Sequence, residues 1–317
     1  MLIRSTAPVR ICDLGGWTDT WFGGPGRVVN IAVGPGADVT IRATDGPPRV
    51  TLDVASNPLL DAAIAALPPP GDLAVDIHVG SSVPPGCGAG TSAAVAVAML
   101  GALAALRSEH LTPHEIAYAA HRLEVEILGT ESGIQDQLCS AHGGISYIEI
   151  DPYPAATVEA LPAWEELGSL LSLVYLGHAH TSSAVHDQVI ERVRQEGAEA
   201  FAPLRHAAVA GRDAVLAHDV DAFGRATVAN TDAQRALHPE LVGVDATRVI
   251  ERARARGAIG WKVNGAGGDG GSITILSPTP EARTAFEDDL VSLDPRYAVL
   301  PIGLDATGLD VRDEPAS

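Results

Sequence analysis

The chain has 317 residues, of which 46% are hydrophobic, and it carries a formal net charge of −19. This length suits two domains of ordinary size. The negative charge disfavours nucleic acid and anionic lipid as partners, because both would be repelled. No uninterrupted apolar run reaches the roughly 18 residues that a membrane span needs. The N-terminus lacks a signal-peptide pattern, and the three cysteines lack metal-ligand spacing, so we expect a cytoplasmic protein.

The first half of the chain predicts a mixture of strands and helices. A proline-free run of Ala, Val, Met and Leu predicts a buried helix over residues 91–106. Pro113 favours the start of a second helix that continues to about residue 128, because proline fits the first helical turn. Segments rich in β-branched residues predict strands at residues 2–12, 28–41, 73–79 and 144–150.

Residues 151–162 contain three prolines and mark the predicted boundary between two domains, residues 1–160 and 161–317. Helices and strands do not alternate strictly on either side of it, which predicts an α+β fold rather than a doubly wound sheet. Beyond the boundary we predict strands at residues 172–177, 272–276 and 298–304, and helices at residues 183–194, 203–217 and 245–256.

A glycine-rich loop, PPGCGAGTSAA, directly precedes the predicted helix at residues 91–106. Glycine permits positive φ and close approach of the backbone to a ligand, and amides at a helix N-terminus attract anions. No Gly-Lys-Ser/Thr closes the loop, so it is not a Walker loop. Taken alone, it also fits a flexible cap on a core helix. The phosphate-binding interpretation assigns contacts to Pro85, Gly86, Cys87, Gly88, Ala89, Gly90, Thr91 and Ser92, and the last two add hydroxyls.

Three further features outside this loop suggest ligand contacts. Lys262 is the single lysine of the chain and lies just before a second glycine cluster. It either contacts substrate or phosphate as a point charge, or it has no such role and remains by chance in a composition biased towards arginine. Gly265, Gly267 and Gly268 of that cluster either approach the ligand or form a tight turn. Asn30 lies in an apolar strand, where it orients adenine or a neighbouring loop, or is a satisfied core amide.

Four segments, in order along the chain, resemble the motifs of the GHMP kinase superfamily. They are APVRICDLGGWTDT, the glycine loop, SGIQDQLCSAHGG and KVNGAGGDGG. The usual second motif is Pro-x-x-Gly-Leu-Gly-Ser-Ser-Ala; here Ala89 replaces the leucine and Thr91 replaces the first serine. The resemblance implies an N-terminal domain like domain 2 of ribosomal protein S5 and a ferredoxin-like C-terminal domain. It also implies an active site in the cleft between them.

The resemblance also implies roles for individual side chains. Asp136 matches the catalytic aspartate that receives the hydroxyl proton, and Arg10 matches the arginine that keeps it ionised and balances charge. Glu124 and Ser92 match the ligands of Mg²⁺. Alternatively, Asp136 is a loop aspartate that forms a turn, and Arg10 and Glu124 are surface charges. Glu126, two positions after Glu124, is the other candidate for the metal role. The motif that binds the sugar hydroxyls places Asp19, Gly16, Trp17 and Thr18 against the substrate.

The implied activity is transfer of the γ-phosphoryl group of ATP to a hydroxyl, with Mg²⁺ as the second cofactor and a small molecule as the acceptor. GGWTDT resembles the fucokinase group, and GIQDQ with the following HGG resembles the heptose 7-phosphate kinase group. Both groups act on an anomeric hydroxyl. Asp269 and Trp17 depart from the usual pattern, so a heptose 7-phosphate and a fucose-like sugar both stay open as acceptors. A heptose 7-phosphate requires a basic pocket, which the sequence does not locate.

Other interpretations stay open at the sequence level. The chain is alternatively a kinase of a cyclitol or another polyol, or a non-catalytic paralogue that senses sugar and ATP. A mevalonate-route decarboxylase is disfavoured by the sugar-binding motif. We expect a monomer or a homodimer. His178, His180 and His186 lack zinc spacing, and the sequence leaves open whether His178, His180 or the helix with Asn230 contacts the substrate.

Overall fold

The computed structural model describes residues 1–55, 57–180 and 183–314, which form two β-sheets with helices packed against them. The strands are β1 Leu2–Leu14, β2 Gly26–Asp45, β3 Arg49–Leu52, β4 Leu73–Ser81, β5 Ile145–Ile150, β6 Ala156–Ala160, β7 Leu171–Tyr175, β8 Gly260–Val263, β9 Ser272–Leu276, β10 Ala298–Leu300, β11 Gly303–Leu304 and β12 Asp310–Glu314.

Most of the helices connect strands that belong to the same sheet. Of those in the described residues, none has the length and apolar character needed to cross a bilayer. They are α1 Pro58–Ala66, α2 Thr91–Leu106, α3 Pro113–Arg122, α4 Gln135–His142, α5 Glu165–Leu170, α6 Ser183–Glu196, α7 Ala202–Ala217, α8 Val220–Leu237, α9 Val244–Ala255 and α10 Pro280–Leu293.

The first sheet is built around β2, a strand of 20 residues. The strand order is β12-β1-β2-β4-β3, and β5 and β11 also pair with β2 because different parts of this long strand meet different neighbours. Helix α2 packs against β1 and β2, and most of its side chains are buried. The sheet and α2 therefore form the large core that supports the glycine loop.

The second sheet has the strand order β10-β7-β9-β8, and all of its pairs are antiparallel. Numbered within this unit, the order is 4-1-3-2, with α6 to α9 joining its first and second strands and α10 joining its third and fourth. This is the βαββαβ arrangement of a ferredoxin-like unit. Its core contains Val174, Val263, Ile273 and Phe286, all nearly inaccessible to solvent.

The α+β class is confirmed, and α2 has the predicted bounds. The predicted helix from Pro113 is also present, although its last part, Leu123–Ile127, is a π-helical turn. Helix α4 was beyond prediction because its eight residues are too few for a clear period.

Two predictions near the chain's prolines are wrong. Residues 156–160 were placed in a boundary segment, but they form β6 and pair with β5. The predicted strand at 298–304 is two strands, β10 and β11, which lie in different sheets. Pro301 separates them, since it cannot donate a ladder hydrogen bond. The division of the chain near residue 160 stays a prediction, and β11 and β12 return to the first sheet.

The pairing of β12 with the first sheet depends on a tight contact between the turn that precedes β12 and the end of α4. Gly308 has φ +76°, and a Cβ there would lie 2.6 Å from the Gly143 amide nitrogen. We predict that Gly308→Ala lowers the free energy of unfolding by about 1–3 kcal/mol, because a side chain in this backbone conformation is strained. Urea denaturation measures it.

Gly303→Ala is the matched control, because a Cβ at Gly303 would meet nothing within 4 Å. This variant should unfold within about 0.5 kcal/mol of the parent protein. Equal stability of the two alanine variants would contradict the placement of residues 305–309 against α4.

Candidate active site

Arg10 of β1 and Asp136 of α4 form a bidentate ion pair. Nε of Arg10 donates to Oδ1 of Asp136 at 2.8 Å, and Nη2 donates to Oδ2 at 3.1 Å. Arg10 is only 4% exposed. Burial opposes its charge, but Asp13 and Asp136 outweigh that effect and raise the pKa of Arg10 above its ordinary value. The guanidinium is therefore a fixed cation that orients both carboxylate oxygens of Asp136.

The glycine loop touches this ion pair. Nη1 of Arg10 donates to the Gly88 carbonyl, and the Arg10 amide donates to the Ala89 carbonyl at 2.9 Å. Gly90 has φ +71°, and a Cβ there would lie 3.0 Å from Oδ2 of Asp136. Glycine is thus required at this position both for its backbone conformation and for space. Asp136 lies in the first turn of α4, so the N-terminal ends of α2 and α4 meet here.

A cavity of about 410 Å³ opens on the glycine-loop side of Asp136. No side chain caps the N-terminus of α2, which leaves its first amides available to an anion. Cys87 and Ala89 are fully buried and turn their side chains into the core. The other predicted loop contacts do line the cavity, namely Pro85, Gly86, Gly88, Gly90, Thr91 and Ser92.

A second cavity, of about 150 Å³, lies on the other side of the ion pair. Both cavities share Arg10 and Asp136, together with Gly265 and Ala266 of the second glycine cluster. A molecule in one cavity and a molecule in the other would therefore meet at the Asp136 carboxylate. The rest of the smaller cavity is formed by Trp17, Asp19, Thr20, Phe22, Glu131, Ser132, Gly133, Gln135, His186 and Ile190.

Asp19 supplies a buried carboxylate to the smaller cavity. Its two oxygens accept hydrogen bonds from the amide and the side-chain nitrogen of Gln135, both at 3.2 Å. Burial raises the pKa of Asp19 to about 7, and the charge of Asp136 adds to this. Any side chain on Gly133 would collide with the Asp19 carboxylate. Trp17, which has φ +81°, donates from its indole nitrogen to the Ala266 carbonyl at 3.2 Å.

Glu124 lies in the π-helical turn behind the glycine loop and is 7% exposed. Its carboxylate accepts hydrogen bonds from Ser92 Oγ at 2.8 Å, Ser132 Oγ at 2.9 Å and Gln137 Nε2 at 2.7 Å. Burial raises its pKa. Among the described residues no cationic side chain pairs with it. Glu126, the competing glutamate of the sequence analysis, is exposed.

Lys262 lines neither cavity. It pairs instead with Asp13, which lies next to Arg10 of the Arg10–Asp136 ion pair. Its fully buried Nζ donates to Asp13 Oδ1 at 3.1 Å, and burial lowers its pKa. The same Asp13 oxygen accepts from the Gly265 amide at 3.1 Å and lies 3.7 Å from Arg10 Nη1. Asp13 is a site residue that the sequence analysis missed; its only signal is a carboxylate inside the apolar segment ICDLGG.

Glu124 and five other residues assigned to ligands also lie outside both cavity walls. Asn30 donates to the Gln135 carbonyl at 3.4 Å and thereby contacts the start of α4. The Thr18 hydroxyl donates to the Gly15 carbonyl at 2.7 Å, which fixes the turn that carries Trp17. The remaining three are glycines packed against other backbone or side-chain atoms, namely Gly16, Gly267 and Gly268.

The structure also locates the histidines and Asn230, for which the sequence left substrate contact undecided. His180 lines the larger cavity and His186 the smaller one. His178 lies 3.4 Å from Asp269 and lines neither. Asn230 of α8 accepts a hydrogen bond from the Gly15 amide at 2.7 Å. It therefore positions the Gly15 turn instead of lining a cavity.

We predict that Lys262→Met lowers the free energy of unfolding by about 3–5 kcal/mol, because it leaves Asp13 buried with less compensating charge. The double variant Asp13→Asn/Lys262→Met should recover part of that loss, since it removes both charges. Urea denaturation of the two variants and the parent measures the difference. A Lys262→Met protein as stable as the parent would contradict the buried pairing.

We predict that Asp19 makes stability fall as pH rises from about 4 to 7. With a folded pKa of about 7 and an unfolded pKa of about 3.9, the folded state holds a proton in this window that the unfolded chain has released. Above pH 7 both states are ionised and the penalty is complete.

Asp19→Asn should therefore be stabilising relative to the parent at pH 8 and less so at pH 5. Denaturant unfolding at the two pH values measures this difference. An unchanged difference between the two proteins would place the Asp19 pKa near its ordinary value instead.

Comparisons with known proteins show which family and fold the chain is similar to. The family model for the GHMP kinases N terminal domain matches residues 58–144, which include the glycine loop, Glu124 and Asp136. A mevalonate kinase of Thermococcus sibiricus is 31% identical over 221 residues, which cover 67% of this chain and 62% of that protein. A D-glycero-alpha-D-manno-heptose 7-phosphate kinase of Campylobacter jejuni is 24% identical over 212 residues, with 65% and 62% covered.

The chain thus spans less than two thirds of the length of these curated relatives. Over the whole fold, the chain is similar to the solved D-glycero-D-manno-heptose 1-phosphate kinase from Bacteriodes thetaiotaomicron. The TM-score is 0.78 at 20% identity, with 99% of this chain and 100% of that chain covered. Residues 58–144 therefore form a GHMP kinase N-terminal domain, and the chain as a whole has the GHMP kinase fold.

Proposed function

We propose that the chain is an ATP-dependent kinase that transfers the γ-phosphoryl group to a hydroxyl of a sugar or sugar-like polyol. One observation carries this proposal. Asp136, which accepts two hydrogen bonds from Arg10, lies where a glycine-lined cavity meets a smaller polar cavity. Phosphoryl transfer needs such a junction, because donor and acceptor must approach in line beside a group that receives the hydroxyl proton.

The larger cavity suits the nucleotide. Gly86, Gly88 and Gly90 all have positive φ, and their loop presents backbone amides next to the free N-terminus of α2. Several amides acting together hold phosphate oxygens without a broad basic surface. Such backbone contacts would let a protein of net charge −19 bind a triphosphate.

The pair Ser92 and Glu124 has the chemistry to hold Mg²⁺. Ser92 lies on the wall of the larger cavity, its hydroxyl is 2.8 Å from the Glu124 carboxylate, and that carboxylate is buried without a cationic partner among the described residues. Few protein ligands suffice, because Mg²⁺ keeps water and phosphate oxygens around it. Bound there, the ion would neutralise charge on the phosphate oxygens. Ser132 and Gln137 hold the glutamate in position.

The smaller cavity suits the acceptor. Asp19 offers carboxylate oxygens to hydroxyl donors, and Asp136 is in place to take the proton of the reacting hydroxyl. The acceptor oxygen forms its bond to the γ-phosphorus while the bond to the β-phosphate oxygen breaks, and ADP leaves with that electron pair. Arg10 stays protonated throughout and stabilises the charge on the transferred group. Proton acceptance by Asp136 contributes a factor of about 10²–10⁴.

The relatives support the reaction more than the acceptor. They are kinases named for different substrates, so the hydroxyl that reacts is proposed from the motif alone. The GGWTDT and GIQDQ segments favour an anomeric hydroxyl. A cyclitol ring, which has no anomeric carbon, presents comparable hydroxyls to Asp19 and Asp136.

We predict that Asp136→Asn lowers kcat by about 10²–10⁴, because the amide still accepts from Arg10 but receives no proton. The dissociation constant for an ATP analogue should change less than about threefold. Coupled ADP release and calorimetric titration measure the two quantities. Asp288→Asn, at an exposed position of α10, is the matched control and should behave like the parent. Parent-like turnover by Asp136→Asn would remove Asp136 from the chemistry.

A further inference from the structure

We propose that the acceptor is an uncharged polyhydroxylated ring, an unphosphorylated sugar or cyclitol, and that the site rejects acceptors carrying phosphate or carboxylate. This inference rests on the proposed kinase function and concerns the smaller cavity of that site. Relatives named for mevalonate or for a heptose phosphate do not predict it. It follows from the charges and the unpaired polar atoms of the cavity wall.

Cationic groups in this wall are already engaged. Among the described residues that line the smaller cavity, Arg10 is the one arginine or lysine, and its donors are directed to Asp136 and to the Gly88 carbonyl. Lys262, which the sequence suggested as a contact for substrate or phosphate, is buried against Asp13. The residues outside the description, Ser56, Thr181, Ser182 and 315–317, bear no cationic side chain.

Histidine does not replace the missing charge. His186 is the histidine of the smaller cavity, and burial lowers its pKa, as the nearby His180 does to a lesser extent. The neutral imidazole offers one donor and one acceptor but no positive charge. A second anionic group on the acceptor would find no counter-charge here.

Carboxylates face the cavity instead. Asp19 and Asp136 lie in its interior, and Glu131 lies in its wall on the exposed side, where its carboxylate accepts a hydrogen bond from the Trp21 indole at 2.5 Å. Asp187, which is exposed, and Glu131 are each close enough to His186 to affect the imidazole. A phosphate extending from a bound sugar toward solvent would therefore meet acidic groups at the opening.

The same wall has features that fit a neutral polyol. Oε1 of Gln135, a residue 7% exposed, has no hydrogen-bond partner among the described residues, and neither has Nε2 of His186. Gln135, His186 and Asp19 all line the cavity, so ligand hydroxyls there would supply the partners that buried polar atoms normally have. Trp17 and Phe22 supply aromatic rings beside them, which suit the C–H face of a sugar or cyclitol.

The size of the cavity agrees with one unsubstituted ring. Its volume is about 150 Å³, comparable to a protein cavity that holds a single six-membered carbon ring. A ring that also bears a phosphoester would need room outside the cavity, on the side where Glu131 lies. Size and charge therefore exclude the same class of acceptor.

The test uses matched pairs that differ by one anionic group: D-mannose with D-mannose 6-phosphate, and D-galactose with D-galacturonate. Binding to the full chain is measured by calorimetry with a non-hydrolysable ATP analogue and Mg²⁺, and turnover by coupled ADP release. We expect the neutral member of at least one pair to bind at least 30-fold more tightly than its anionic partner. Equal or tighter binding of the anionic members, or no binding of any member at millimolar concentration, overturns the inference.

The two measurements separate this inference from the proposed function. Preferential binding of neutral members without ADP release would contradict the kinase and leave the acceptor class standing. ADP release with phosphorylated or carboxylated members preferred would do the reverse.

A charge-neutral variant tests the cause of the preference. Glu131→Gln keeps an acceptor for the Trp21 indole and should reduce the preference for neutral members about fivefold at low salt, and less at high salt. Glu251→Gln, at an exposed position of α9 that lines neither cavity, controls for net charge and should leave the preference unchanged. Equal effects of the two variants would show that wall charge does not select the acceptor.

Discussion

The buried ion pair between Arg10 and Asp136 is the constraint on which the rest of the site depends. A buried guanidinium is stable only when its donors are satisfied and its charge is compensated. Here the partners come from separate parts of the chain: the carboxylate from α4, a carbonyl from the glycine loop at Gly88, and a second carboxylate from Asp13. One side chain of β1 thereby fixes the loop, the helix and the junction of the two cavities.

Asp13 extends this network to the second sheet. It joins Arg10 of the first sheet to Lys262 of β8 and to the Gly265 amide. Because Gly265 lines both cavities, the relative placement of the two sheets and the shape of the site depend on one buried carboxylate. The lone lysine of the chain therefore has a role in positioning that its sequence context, next to a glycine cluster, does not reveal.

Local patterns predicted the parts of the fold and site that depend on neighbouring residues. Helix α2 was predicted at its bounds because it is uniformly apolar and follows a glycine loop, and the motif segments identified Asp136, Arg10 and Asp19. The role of Lys262 was beyond prediction, because its partner Asp13 is 249 residues away in the chain. The placement of β11 and β12 was missed for the same reason. The charge of the smaller cavity likewise arises from Asp19, Glu131 and Asp136, which no single motif contains.

A structure of the chain with Mg²⁺, a non-hydrolysable ATP analogue and a polyol acceptor tests the central claim most directly. The account predicts that the terminal phosphate contacts the amides of residues 86–92 and that an acceptor hydroxyl lies within hydrogen-bonding distance of Asp136, with the Arg10 pair intact. A nucleotide bound away from the glycine loop, or an acceptor hydroxyl out of reach of Asp136, would contradict it.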